Sequence, residues 1–155
     1  MGSKQEQAMA LFKEGYNCAQ SVFAVFCEDL GLDFETALKL ASSFGGGMGR
    51  LREVCGAVSS MFAIAGMKYG YTDPTDNAAK AAHYQLIQDL AAQFKAENHS
   101  ILCRELLGLG AGPDNPIPAL RTQAYYDKRP CAELVGCAAR IMEELLSQRE
   151  KVESV

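Results

Sequence analysis

The sequence predicts an all-α, single-domain helical bundle of about five to seven helices with one glycine-rich interhelical loop. Three observations predict it: strand-type alternation is weak, Ala, Leu, Met, Glu, Gln and Lys dominate, and capping and stop residues recur at helix-length intervals. With 155 residues, 48% of them hydrophobic, the chain can bury one sizeable core. A second domain is not expected, so residues 1–155 are read as one unit.

The elements follow from their ends. Residues 4–14 form a helix that stops at Gly15, where a residue without a Cβ takes the left-handed conformation. Asn17 caps a helix expected to run to Leu30, with Gly31 as its terminator, and Asp33 caps another through Phe44. The run Phe44-Gly45-Gly46-Gly47-Met48-Gly49-Arg50 reads as a loop, because each glycine costs about 1 kcal/mol in a helix relative to alanine. Residues 53–69 make a helix of small residues, apolar on nearly every side, which places it centrally. After the turn at Asp73-Pro74, a long amphipathic helix runs from Asp76 to about Asn98. Ser100 is expected to cap a short helix ending near Leu107. Residues 108–130, interrupted by Pro113, Pro116 and Pro118, read as irregular with a short turn near 119–126. Pro130 suits the first position of a last helix that runs to about Lys151.

A formal net charge of −4 lacks the basic footprint of phosphate-backbone binding, so nucleic acid is excluded as the expected partner. The first residues carry Lys4 and Glu6 and no continuous apolar stretch, so export is not indicated. No segment approaches the roughly 20 apolar residues of a membrane span. The expectation is a soluble, cytoplasmic chain without membrane insertion. Six cysteines in a reducing compartment point to metal binding or thiol chemistry rather than a disulfide scaffold.

Four of those cysteines share a position. Cys18 follows the cap Asn17, Cys55 opens the small-residue helix, Cys103 lies three residues after Ser100, and Cys131 follows Pro130. Each is expected in a first helical turn, where unpaired N–H groups and the helix dipole favour a thiolate. Cys27 lies nine residues from Cys18, on the opposite side of a continuous helix, and Cys137 falls at the margin of an apolar stripe. Both read as packing residues. Two thiolates 4 Å apart repel by about 4 kcal/mol at an effective dielectric of 20, whereas a helix end returns only about 0.3–1 kcal/mol. Four sulfurs together therefore require a metal or iron–sulfur cluster, protonation, or oxidation to disulfides. No Cys-x-x-Cys occurs, so the ligands would come from four separate helices.

The neighbouring polar residues read more plainly. Gly45 to Gly49 could offer N–H groups to an anion or to cluster sulfurs, but a tight interhelical connection is expected; Arg50 or Arg52 could pair with a thiolate or cluster charge, but solvated surface positions are expected. His83 and His99 could complete a Cys₃His site, yet surface and capping roles are the expectation. No acid–base partner lies near any Ser or Cys in sequence, which leaves hydrolysis unsupported.

The segments Gly15-Tyr16-Asn17-Cys18-Ala19-Gln20, Phe44 to Gly49, Cys55-Gly56-Ala57 and Cys131-Ala132-Glu133-Leu134-Val135 together resemble the redox-active family named for its cysteine pattern, C_GCAxxG_C_C. The resemblance spans most of the chain and matches the family's cysteines to Cys18, Cys55, Cys103 and Cys131. One departure is Ser60, which stands where the Cys-Gly-Ala-x-x-Gly pattern ends in glycine. A related region is similar to part of the split-Soret cytochromes c, which implies electron transfer and an iron–sulfur site. Covalent haem is not expected, since no Cys-x-x-Cys-His is present.

The leading expectation is a redox protein whose catalytic, cofactor-binding and metal-ligating groups are all Cys18, Cys55, Cys103 and Cys131, holding an iron–sulfur cluster or another thiolate-bound metal. The alternatives are a thiol–disulfide oxidoreductase working through pairs of these cysteines, and a structural zinc module. The redox partner and the choice between monomer and homo-oligomer stay open.

Overall fold

The computed structural model describes residues 2–110 and 112–154, and among these it holds eight right-handed α-helices and no strand. They are α1 (Lys4–Glu14), α2 (Cys18–Ala24), α3 (Phe34–Ala41), α4 (Gly56–Tyr69), α5 (Asn77–Asn98), α6 (Cys103–Leu106), α7 (Gln123–Lys128) and α8 (Cys131–Glu153). Six have seven or more residues. The total exceeds the expected range because α7, capped by the Thr122 hydroxyl, forms where only a turn was expected.

Most boundaries come from caps that the sequence displays. Ser3 caps α1, and Gly15 ends it in the left-handed conformation with φ 114°. Asn17 and Gln20 form a reciprocal capping box at the start of α2. Asp33 and Asp76 cap α3 and α5 through their side chains, and His99 closes α5 in the left-handed conformation with φ 73°. The last turn expected of α3 tightens into a 3₁₀ turn over Ser42–Phe44.

Two expectations are corrected. The second helix ends at Ala24, not Leu30. The Val25 carbonyl, which a continuing helix would use, instead accepts from Lys4 Nζ at 2.7 Å, and the chain runs on through i−3 bonds such as Cys27 N–H to Ala24 O. Ser100, in turn, is not the cap of α6. Its hydroxyl oxygen accepts from Leu102 N–H at 3.0 Å and so supports the turn before the helix, while Leu102 takes the cap position.

The small-residue helix α4 is central, as its composition dictates. It packs on α2, α5 and α8, with Val58, Met61, Ile64 and Ala65 buried. Ser60 is buried too, and its hydroxyl donates to Ala19 O at 2.7 Å. The departure from glycine thus adds a bond between α4 and α2 while keeping them close. Helix α1 lies along α8, fixed in part by Lys4 N–H donating to the Glu143 carboxylate at 3.3 Å. Among the described residues, no helix is long and apolar enough to cross a membrane.

Candidate functional site

The glycine run does not relax into an ordinary loop. Five consecutive residues, Gly46 to Arg50, have positive φ, and Gly49 N–H closes a turn onto Gly45 O at 2.9 Å. This is a left-handed turn, affordable because its first two residues, Gly46 and Gly47, lack a Cβ. Met48 and Arg50 adopt the same hand despite their side chains. Space requires glycine as well as φ: a Cβ on Gly47 would stand 2.6 Å from Cys103 Cβ and 2.9 Å from Arg52 Cα.

After the turn the chain pairs once, in an antiparallel bridge between Val54 and Leu102. Cys55 N–H donates to Ile101 O at 2.7 Å and Cys103 N–H to Glu53 O at 2.6 Å, so this bridge sets the Cys55 and Cys103 segments side by side. Cys55 is the cap residue of α4, while Cys18, Cys103 and Cys131 are the first residues of α2, α6 and α8. Gly56 lets α2 approach this point, since a Cβ there would lie 2.7 Å from Cys18 Sγ and 2.6 Å from Phe44 O. All four cysteines line one cavity of about 70 Å³, walled also by Phe12, Leu106 and Leu134.

Cys27 and Cys137 stand apart from this cavity. Cys27 lies beyond the end of α2 on a surface groove, so the opposite-face argument, which assumed a continuous helix, does not apply. Cys137 is buried on α8 with its sulfur hydrogen-bonded to Glu97 at 3.3 Å and Asn98 at 3.4 Å. His83 packs against Tyr71 and His99 borders another groove, so neither adds a nitrogen to the cavity.

The cavity holds its charge unevenly. Cys18 is lowered to about 6, chiefly by a hydrogen bond from the Cys55 thiol, with the N–H groups of Gly46, Ala19 and Gly56 adding to it against the effect of burial. Cys55 is pushed up, first by giving that hydrogen bond and then by burial. Burial raises Cys103, and together with the Cys18 charge it pushes Cys131 up to about 12. The expectation that every helix start favours a thiolate is therefore corrected. A helix end supplies about 0.3–1 kcal/mol, less than one pKa unit, whereas burial moves a thiol by up to several units.

Neither Arg50 nor Arg52 is solvated as expected: Arg50, its side chain 18% exposed, reaches Asp114 at 3.6 Å and Asn115 O at 2.8 Å, and the larger departure is Arg52. Rather than being solvated, it is 2% exposed, in a left-handed conformation with φ 61°. Its Nη1 donates to Cys103 Sγ at 3.5 Å and its Nε to Asp114 at 2.9 Å, while Nη2 is buried with no partner. A signal was present in the sequence: the glycine run that ends three residues earlier, at Gly49, permits the backbone reversal that turns Arg52 inward.

The chain matches the family model described as "Putative redox-active protein (C_GCAxxG_C_C)" over residues 16–145. The chain belongs to the C_GCAxxG_C_C family. No curated protein and no solved structure gives a match. In the C_GCAxxG_C_C chain described here, the Cys-Gly-Ala step has a physical reading: the cysteine caps the central helix and the glycine admits the sulfur of Cys18.

The donor set can be tested against a thiolate-bound metal. Among the described residues, no three His, Cys, Asp or Glu side chains are placed to hold one metal ion. A tetrahedral zinc with Zn–S near 2.3 Å draws its sulfurs to within about 3.8 Å of one another, so a single-ion site does not fit. A multinuclear centre distributes its thiolates over different metal atoms and tolerates wider spacing. Four sulfurs around one cavity, N–H donors on one of them and a buried guanidinium with a free donor suit such an anionic centre chemically.

Proposed function

We propose that this redox protein transfers or senses electrons at an iron–sulfur centre held by Cys18, Cys55, Cys103 and Cys131. The observation that supports it is the convergence of four sulfurs, from four separate segments, on one cavity. Dithiol chemistry needs only two of them. A bound centre would supply a one-electron couple. The chain's own groups hold negative charge at Cys18 through Gly46, Ala19 and Gly56 N–H, set a cation against Cys103 through Arg52, and exclude water with Phe12, Leu106 and Leu134.

A second reading is favoured by the Cys18–Cys55 contact. There the Cys18 thiolate attacks a substrate disulfide and Cys55 resolves the mixed disulfide, leaving a Cys18–Cys55 disulfide and a reduced substrate. Anaerobic purification separates the two. Visible absorbance with iron and acid-labile sulfide, lost in Cys18→Ala, Cys55→Ala, Cys103→Ala and Cys131→Ala but kept in Cys27→Ala and Cys137→Ala, is the expected result. Colourless protein with a Cys18–Cys55 pair that cycles with a dithiol would favour the second reading. Iron retained without Cys103 and Cys131 would sink the four-sulfur centre.

A further inference from the structure

A second, larger concavity of about 530 Å³ lies against the thiol cavity, and the two share Asn17, Gly46, Arg52, Arg121, Tyr125 and Arg129 in their walls. Four arginines line it, Arg50, Arg52, Arg121 and Arg129, and no carboxylate does. In a chain of net charge −4, this collects positive charge in one place.

Each guanidinium is held in place, and two of the four have no ion-pair partner among the described residues. Arg121 donates to Phe12 O at 2.9 Å and Tyr16 O at 3.0 Å, closing the end of α1, and lies over the Phe12 ring. Arg129 stacks on Tyr125 with 4.7 Å to the ring centroid, and neither it nor Arg121 has an ion-pair partner among the described residues. Arg50 and Arg52 share one carboxylate, Asp114, which is 42% exposed. Four cations thus face one carboxylate, with the Cys18 sulfur beyond the shared wall as the other negative group, and the buried Nη2 of Arg52 has no hydrogen-bond partner.

We infer that this cleft binds a small organic or inorganic polyanion, carrying carboxylate or phosphate groups, directly above the thiol cavity. Planar guanidinium forks held in position match the paired oxygens of such groups, and the cleft's volume is that of a small-molecule site. An acidic protein surface fits less well. Arg52, at 2% exposure, is out of reach of a flat partner, and Pro118 and Ala119 also line the cleft.

The inference does not depend on which redox chemistry the sulfurs perform, and its test is read separately. Inorganic phosphate and succinate are titrated calorimetrically into the reduced full-length protein at low ionic strength, with iron and sulfide assayed on the same sample. Saturable binding is expected, weakening about tenfold in Arg129→Gln and in Arg50→Gln, unchanged in the exposed Lys95→Gln, and fading with added salt. The Arg129 side chain makes no hydrogen bond among the described residues, and its backbone bond to Tyr125 O does not depend on the guanidinium, so its variant keeps the test valid if Arg50→Gln unfolds. Absence of saturable binding, or equal weakening in Lys95→Gln, overturns the inference. Binding of polyglutamate without binding of phosphate or succinate also overturns it, in favour of an acidic protein partner.

Discussion

At the scale of single residues, the charge at the cavity is governed by the Cys18–Cys55 contact more than by the helix end beneath Cys18. Metal-free, reduced protein makes this measurable. The rate of Cys18 alkylation by iodoacetamide should climb to a midpoint near the value of about 6 and stay level at higher pH. Cys55→Ala, which removes the largest contribution, should move that midpoint upward; an unmoved midpoint contradicts the assignment. The sign carries over to stability. A thiol with a folded-state pKa below its unfolded value of about 8.5 stabilises the fold above that value, and the contribution is lost as pH falls through the folded pKa. Cys131, pushed up to about 12, acts in the opposite sense: its neutral thiol favours the fold until pH rises past the unfolded value.

At the scale of elements, Asn17 both starts α2 and fixes the sulfur that follows it. Its side chain accepts from Gln20 N–H at 2.8 Å and donates to Ser42 O at 3.1 Å, tying the helix start to the segment before the left-handed turn. Asn17→Ala should cost about 1 kcal/mol by urea unfolding, the usual value of a lost cap, and should also slow assembly of the proposed iron–sulfur centre. A variant equal to wild type in both measurements would show that neither bond matters. Such caps are why the starts of α2, α3 and α5 could be read from local residues, at Asn17, Asp33 and Asp76. The end of α2 could not, because it is decided by Lys4, distant in sequence, taking the Val25 carbonyl. The inward turn of Arg52 depends likewise on Cys103 and Asp114, partners 51 and 62 residues away. Local sequence indicated that the glycine run departs from a helix, but not that it winds left-handed.

At the scale of the whole molecule, the cavity closes only when α2, α4, α6 and α8 are all in place, because each contributes one sulfur at or next to its first residue. This convergence was suggested by the shared position of the four cysteines along their helices, while the packing that realises it rests on α4 lying between α2 and α8. A group held by all four sulfurs binds the folded chain and not the separated segments, so it stabilises the entire fold. At a hundredfold excess over its dissociation constant the gain is about 2.7 kcal/mol, which for a chain of this size raises the thermal midpoint by roughly 5–11 °C. Anoxic reconstitution with iron and sulfide should therefore produce colour and a higher midpoint together. Cys131→Ala removes the sulfur supplied by the last helix and should abolish most of the gain, whereas Cys27→Ala should retain it. If coloured and colourless protein melted at the same temperature, the centre would not be joining the four segments, and the fold would be complete without it.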